Sequence, residues 1–247
     1  MAQTQIEAKI QGLGNVLYVA APFDEDLRAL KQNHSRLITA RDLAYARIQD
    51  ANANTTKKSS LCQNGSYVRE GSLYLPKAEN KIVLLRNSLC LKYPKEATQA
   101  HKDGKQFFIV QKEANAYAKK KDSLVLKSTD AVPTNRFAEN ERTVWLFQDQ
   151  AKDYGLLLQE NKITAMPLSF DSQDYVAKQG RKSYANQLWL RRFDDASVVN
   201  GDYWYLIFIN GARGVQYLSA KQTASKKIDA PYNRKEVIAA LNIAEGV

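Results

Sequence analysis

Apolar residues recur along this chain at two different spacings, which predicts that strands and helices are mixed. A two-residue spacing starts at Ile6, and Gly12 and Gly14 then turn the chain into a second apolar run, as in a β-hairpin. Further strands are predicted at 66–76, 81–86, 107–110, 124–126, 143–147, 166–170, 187–193 and 203–209. We expect 66–76 and 81–86 to pair, because only four polar residues separate them.

A helical spacing of apolar residues predicts the other elements. The first helix is expected over 24–50, with an interruption near Asn33, and Asp24 is expected to cap its free amides. Shorter helices are predicted between Pro94 and Gly104 and at 149–161, 174–180 and 234–245. Strands and helices follow one another without a βαβ rhythm. The prediction is therefore an α+β fold with a mainly antiparallel sheet and several helices packed on it.

The segment from Asp130 to Asn135 is the best linker candidate, because it is short and contains a proline between apolar elements. It would divide the chain into an N-terminal basic α+β region, 1–130, and a C-terminal α+β region, 136–247. One continuous domain is the alternative, since 247 residues suit either arrangement.

Composition narrows the class of protein. Hydrophobic residues make up 44% of the chain, which excludes a disordered class, and the longest apolar runs fall far short of the ~20 residues of a membrane span. The N-terminus lacks the pattern of a secretory signal. Two cysteines, Cys62 and Cys90, are too few for a disulfide framework. These features predict a cytoplasmic protein with reduced thiols and no membrane partner.

Positive charge is concentrated in one segment. The whole chain carries a net charge of +10, and residues 57–121 contain 14 basic and 5 acidic side chains. A local excess of this size attracts phosphate backbones, because each neutralised phosphate releases condensed counterions. A basic surface that only aids solubility is the alternative. We expect the segment to bind nucleic acid.

Aromatic and basic residues share predicted strands, which favours RNA or single strands as the partner. Trp189, Arg191 and Phe193 alternate onto one face, and such a face can stack bases while its cations hold phosphates. Burial of these rings in the core is the competing interpretation. The predicted binding residues are Lys57, Lys58, Tyr67, Arg69, Lys81, Arg86, Lys119, Lys120, Lys121, Trp189, Arg191 and Arg213.

No motif in the chain identifies a reaction. His34 and His101 have no metal-ligand partner at helical spacing, and both are expected at the surface. Three Glu-x-Lys tripeptides, at 7–9, 79–81 and 160–162, lack the upstream Asp or the strand of a metal-dependent nuclease. The glycines around Arg213 suit a phosphate loop, but a plain turn is the more common role of such glycines. We therefore expect no enzymatic activity, no cofactor and no metal.

These observations predict a non-catalytic nucleic-acid-binding protein. Such a protein is typical of a subunit of a larger ribonucleoprotein, for example a prokaryotic antiviral defence effector or an RNA-processing complex, with further protein partners. Two alternatives stay open. One is a structural or interaction protein, such as a viral or assembly component, whose basic face docks an acidic protein. The other is a metal-dependent nuclease.

Overall fold

A computed structural model describes residues 4–53, 60–76, 81–180, 182–193, 196–202, 206 and 211–216 of the chain. The strands within these residues are β1 (Thr4–Ile10), β2 (Gly14–Val19), β3 (Ser35–Leu37), β4 (Ser66–Leu75), β5 (Lys81–Leu85), β6 (Leu124–Val125), β7 (Val132–Pro133), β8 (Ala165–Met166), β9 (Leu168–Ser169), β10 (Tyr184–Leu190), β11 (Val199–Asn200) and β12 (Ala212–Gln216).

The described helices are short apart from the second. They are α1 (Phe23–Gln32), α2 (Ala40–Ala53), α3 (Ser60–Gln63), α4 (Leu89–Lys92), α5 (Pro94–Lys102), α6 (Gln111–Ala118), α7 (Glu141–Phe147), α8 (Ala151–Glu160) and α9 (Gln173–Lys178). Two 3₁₀ turns, Thr134–Arg136 and Gln148–Gln150, precede α7 and α8 respectively.

One large sheet organises the described part of the chain. Its main path runs β1-β2-β12-β4-β10-β11-β9, while β3 pairs with β12 and β5 lies between β4 and β6. The described pairings in this sheet are antiparallel except β11 with β9 and β12 with β4. The α+β fold with a mainly antiparallel sheet is confirmed.

Helices cover both faces of the sheet, and successive strand residues point to opposite sides. On one face α1, α4, α5 and α6 pack on strand residues that include Leu17, Val83 and Ala185. On the other face α2, α7 and α8 pack on residues that include Val16, Leu84 and Leu188. A strand side chain in the middle of this sheet is therefore buried whichever way it points.

Both predicted hairpins are present. β1 and β2 pair around a turn in which Gly12 has a φ of 79°, a conformation that favours glycine. β4 and β5 pair in register from Gly71 with Leu85 to Leu75 with Lys81. The helix that begins at Pro94 is also present, with the proline in its first turn.

Several predicted elements are wrong. Residues 143–147 form helix α7, because the Asn140 side chain caps its first turn, accepting a hydrogen bond from the Arg142 amide at 3.0 Å. The predicted helix over 24–50 is interrupted near Asn33 as expected, but the interruption contains strand β3, and the expected cap by Asp24 is wrong because α1 begins after Pro22 with no side-chain cap. The predicted strand 107–110 contributes only an isolated bridge, between Phe108 and Tyr184.

Two residues of the predicted linker are anchored in the folded core. Val132 belongs to β7, which pairs with β8, and both Val132 and Thr134 are buried. Strands from before and after this segment pair in the same sheet, as β4 does with β10. The two predicted regions therefore share one sheet in the described residues.

Two predicted elements, 203–209 and 234–245, lie wholly or mostly outside the described residues. Within the part that is described, no helix is both long and apolar enough to cross a membrane.

Candidate nucleic-acid interface

The two aromatic residues of the predicted binding set lie in the core. Tyr67 is fully buried and Trp189 is 7% exposed. Their rings meet edge to face at a centroid distance of 4.7 Å, and Tyr67 meets Phe23 in the same way at 5.0 Å. Neither ring offers a free face to a base, so the competing interpretation of burial holds for both.

Two arginines of the predicted set also point inward. Arg213 is fully buried, and its guanidinium donates to Glu7 Oε1 at 2.6 Å and to the Gly65 carbonyl at 2.7 Å. Arg69 is 9% exposed and donates to the Asn87 side chain. The charged groups of Arg213 and Arg69 are therefore engaged inside the protein, and their positions give no support to the predicted phosphate contacts.

Arg47 is a third interior arginine, and no spacing in the sequence indicates its role. It is fully buried and donates to the Leu61 carbonyl at 2.9 Å, to the Tyr154 hydroxyl at 2.7 Å and to the Arg191 carbonyl at 2.9 Å. These acceptors come from distant parts of the chain, so Arg47 joins α2 to α8 and to the segment after β10. A buried polar group satisfied in this way is structural.

A group of five lysines lies on the outside of the helices α4 and α6 and in the turn that follows α6. We call this surface the lysine face and define it by Lys92, Lys112, Lys119, Lys120 and Lys121. Lys92 is half-buried at the end of α4, and the other four lysines are exposed on α6 or the turn that follows it. Ala114 and Leu89 anchor the two helices in the core below.

Aromatic rings and one carboxylate order the lysine face. Lys92 Nζ lies 2.8 Å from Glu113 Oε1, and the Tyr93 hydroxyl donates to the same oxygen at 3.2 Å. The Lys120 Nζ lies 3.8 Å from the centroid of the Tyr117 ring, a cation–π contact. The Glu113 carboxylate raises the pKa of Lys92 above its usual range, and burial raises the pKa of Tyr117. At neutral pH the lysine is therefore charged and the tyrosine neutral.

The turn that carries three of these lysines is fixed in place. Ser123 Oγ donates to the carbonyls of Ala118 and Lys120 at 2.9 and 2.7 Å, which closes the turn after α6. Trp145 Nε1 on α7 donates to the Asp122 carbonyl at 3.0 Å. Positive charges are stabilised at the C-terminal end of a helix, where backbone carbonyl groups point outward. Lys119–Lys121 therefore form an ordered positive cluster.

Arg86 of the predicted set contacts the same tryptophan that holds the lysine turn. Its guanidinium lies 4.0 Å from the centroid of the Trp145 ring, the same ring system whose indole nitrogen holds Asp122. Lys81 is exposed at the start of β5, and Arg191 is half-buried after β10. Lys57 and Lys58 lie outside the described residues. Arg86 and the lysine turn are thus linked through Trp145, whereas Lys81 belongs to β5 and Arg191 follows β10.

The sequence gives weaker signals for the residues that surround these lysines than for the lysines themselves. Tyr117 and Lys120 are three residues apart, a spacing that places them together on a helix and its first following turn. Lys92 and Glu113 belong to different helices, so no local spacing predicts their ion pair. Trp145 lies in a segment whose apolar pattern predicts a strand, and that prediction hides its contact with the lysine turn.

Other polar groups are buried within the described residues without forming a metal cluster. Burial raises the pKa of Glu70 to about 7 and that of Asp26 to about 8. Glu70 Oε2 accepts from the Ala40 amide at 2.9 Å at the start of α2. His101 is buried, against the expectation of a surface position. Among the described residues, no group of three or more His, Cys, Asp or Glu side chains suits a metal ion.

An open surface depression of about 660 Å³ lies beside α5. Asp24, Glu96 and Asp103 line it together with Lys95, Lys102 and Lys105, so its charges of the two signs balance. A balanced wall gives no preference for a polyanion, unlike the lysine face.

Comparison with known proteins supports the fold. The chain is similar to a solved structure reported as "Accommodation of massive sequence variation in Nanoarchaeota by the C-type lectin fold", with a TM-score of 0.54 and 12% identity. The match covers 86% of this chain and 95% of that one. The likeness concerns the fold alone. A scan of protein-family models and a search of the curated proteins each find no match.

Proposed function

We propose that this protein binds nucleic acid through the lysine face and catalyses no reaction. The observation that carries the proposal is the local charge balance of that surface. Five lysines lie on α4, α6 and the turn that follows, against two carboxylates in the same segments, Glu113, which pairs with Lys92, and Asp122. Ammonium groups on an ordered scaffold attract phosphates and release counterions from the polymer.

RNA or another single-stranded nucleic acid is the favoured partner. The aromatic rings that support this choice are not the rings of the predicted β-strands. Tyr67 and Trp189 are buried and offer no platform. Tyr93 and Tyr117 are half-buried next to lysines, which supports a combination of ring contacts with bases and ammonium contacts with phosphates. The assignment to a ribonucleoprotein subunit of an antiviral or RNA-processing complex, and to the cytoplasm, belongs to the same proposal and rests on the sequence alone.

A binding titration tests the proposal. A fluorescein-labelled single-stranded uridine 20-mer is titrated with the purified protein and followed by anisotropy at several salt concentrations. The expected result is binding whose affinity falls by orders of magnitude between ~50 and ~200 mM salt, since several phosphates are neutralised. A duplex of equal length is expected to bind more weakly.

Two results would overturn the proposal. The first is an affinity that does not change with salt, because phosphate contacts always release counterions. The second is no binding to either polymer together with stoichiometric binding of an acidic protein from the same cells, which would favour the docking alternative. Mg²⁺-dependent cleavage of the labelled strand would contradict the non-catalytic part alone.

A further inference from the structure

Glu113 forms an ion pair with a lysine of this surface. Its Oε1 accepts from Lys92 Nζ at 2.8 Å and from the Tyr93 hydroxyl at 3.2 Å, and its Oε2 lies 3.4 Å from the same hydroxyl. The side chains of Glu113 and Lys92 are 23% and 37% exposed. The pair is therefore accessible to a ligand but held by two contacts from α4 and the residue that follows it.

Lys92 differs from the other lysines of the face in having such a partner. Within the described residues, Lys112, Lys119, Lys120 and Lys121 form no ion pair with a carboxylate. The Lys92 ammonium also lies 4.9 Å from the Tyr93 ring centroid and 6.0 Å from that of Tyr117. Carboxylate and rings together keep this ammonium directed towards α6.

We propose that Glu113 limits how many phosphates the lysine face binds, by holding Lys92 in an internal ion pair. A phosphate that approaches Lys92 must compete with the carboxylate that already accepts its hydrogen bond, and the same carboxylate repels it. Removal of the Glu113 charge makes Lys92 a further phosphate contact. The inference rests on the proposed function, because it concerns the same surface.

The experiment compares Glu113→Gln with Glu96→Gln, using the single-stranded uridine 20-mer. Glu96 is exposed on α5 and forms no ion pair within the described residues, so both variants lose one negative charge but only Glu113→Gln releases Lys92. We expect Glu113→Gln to bind more tightly and to steepen the salt dependence by up to ~0.7 in log–log slope, the effect of one added phosphate on a single strand. Glu96→Gln should leave the slope unchanged.

A third variant shows whether the gain passes through Lys92. In the Lys92→Ala background the same Glu113→Gln change should no longer steepen the salt slope. Equal slopes for Glu113→Gln and Glu96→Gln, or a gain that persists in the Lys92→Ala background, would overturn the inference while the proposed function stands. If neither the parent nor Glu113→Gln binds the strand, both proposals fall. Melting temperatures of all variants confirm that each is folded.

Discussion

Cations and aromatic rings occur together both in the middle of the sheet and on the lysine face. In the sheet, Arg213 pairs with Glu7, and Tyr67 packs against Trp189 below helices that cover both faces. On the lysine face, Tyr117 and Lys120 contact each other at the surface of α6. The composition of the two regions is similar, but only the second is accessible to a ligand. The surroundings of a residue therefore decide its role. The cations of the sheet are structural because helices cover both faces of the sheet.

The largest expected effect follows removal of an interior ring. Trp189→Ala should lower the free energy of unfolding by ~3–5 kcal/mol, because a buried aromatic leaves a cavity. Gly65 packs so closely on the indole that a Cβ atom there would lie 2.5 Å from the ring, so the site is tightly filled. Urea denaturation measures the change. A variant of unchanged stability whose affinity for the uridine strand falls by ~1–3 kcal/mol would instead make Trp189 a stacking residue.

An interior cation should also act on stability. Arg213→Met leaves the largely buried Glu7 carboxylate without its partner, and breaking a buried pair in this way should cost at least ~3 kcal/mol. The double variant Arg213→Met, Glu7→Leu should recover much of that stability, since no unpaired charge remains. Urea denaturation of both variants gives the comparison. Equal stabilities of the parent and the single variant would contradict a structural role of the Arg213–Glu7 pair.

An interior carboxyl group should make stability depend on pH. Burial raises the pKa of Glu70 from 4.5 to about 7, so the folded protein retains a proton that the unfolded chain releases. Stability contributed by this group is fully present below pH 4.5 and is lost as the pH rises through about 7. One pKa unit corresponds to ~1.4 kcal/mol, so the decrease is about 3 kcal/mol.

Glu70→Gln should remove this part of the pH dependence. Urea midpoints of parent and variant, measured from pH 4.5 to 8, should diverge in favour of the variant as the pH rises. Asp26 contributes equally to the pH dependence of both proteins, so the difference between their curves reports the effect of Glu70 alone. Parallel curves would show that Glu70 titrates in the folded state as it does in the unfolded chain.

The fold class could be predicted from the sequence, because strand and helix spacings are local. Hairpins such as β4–β5 need only two apolar runs and a short polar connection. Helix α7 could not be predicted in this way. Its buried residues Thr143, Leu146 and Phe147 lie in a short apolar run, and such a run does not distinguish a helix from a strand. Spacing also cannot show that a sheet is covered on both faces, which is why Tyr67, Trp189 and Arg213 entered the predicted binding set.

The lysine cluster at 119–121 was the part of the candidate site that sequence alone could identify, because three consecutive lysines cannot all be buried. Its surroundings depend on tertiary contacts. Glu113 reaches Lys92 from another helix, and Trp145 reaches Asp122 from α7. No spacing in the chain brings these residues together.

The lysine face, and not net charge in general, is expected to bind nucleic acid. The most direct test compares two triple variants that remove the same number of charges. The cluster variant carries Lys119→Ala, Lys120→Ala and Lys121→Ala and loses all three charges of the cluster. The control variant carries Lys9→Ala, Lys152→Ala and Lys178→Ala and loses exposed lysines from β1, α8 and α9.

Both triple variants should keep the parent's stability within about ±0.5 kcal/mol for each exposed change. The measurement is the salt dependence of binding to the uridine 20-mer. The cluster variant should bind more weakly, with a log–log slope reduced by up to ~0.7 for each phosphate that it no longer neutralises, while the control variant keeps the parent's slope. A cluster variant that binds with the parent's affinity and slope, or two variants weakened alike, would contradict binding through the lysine face.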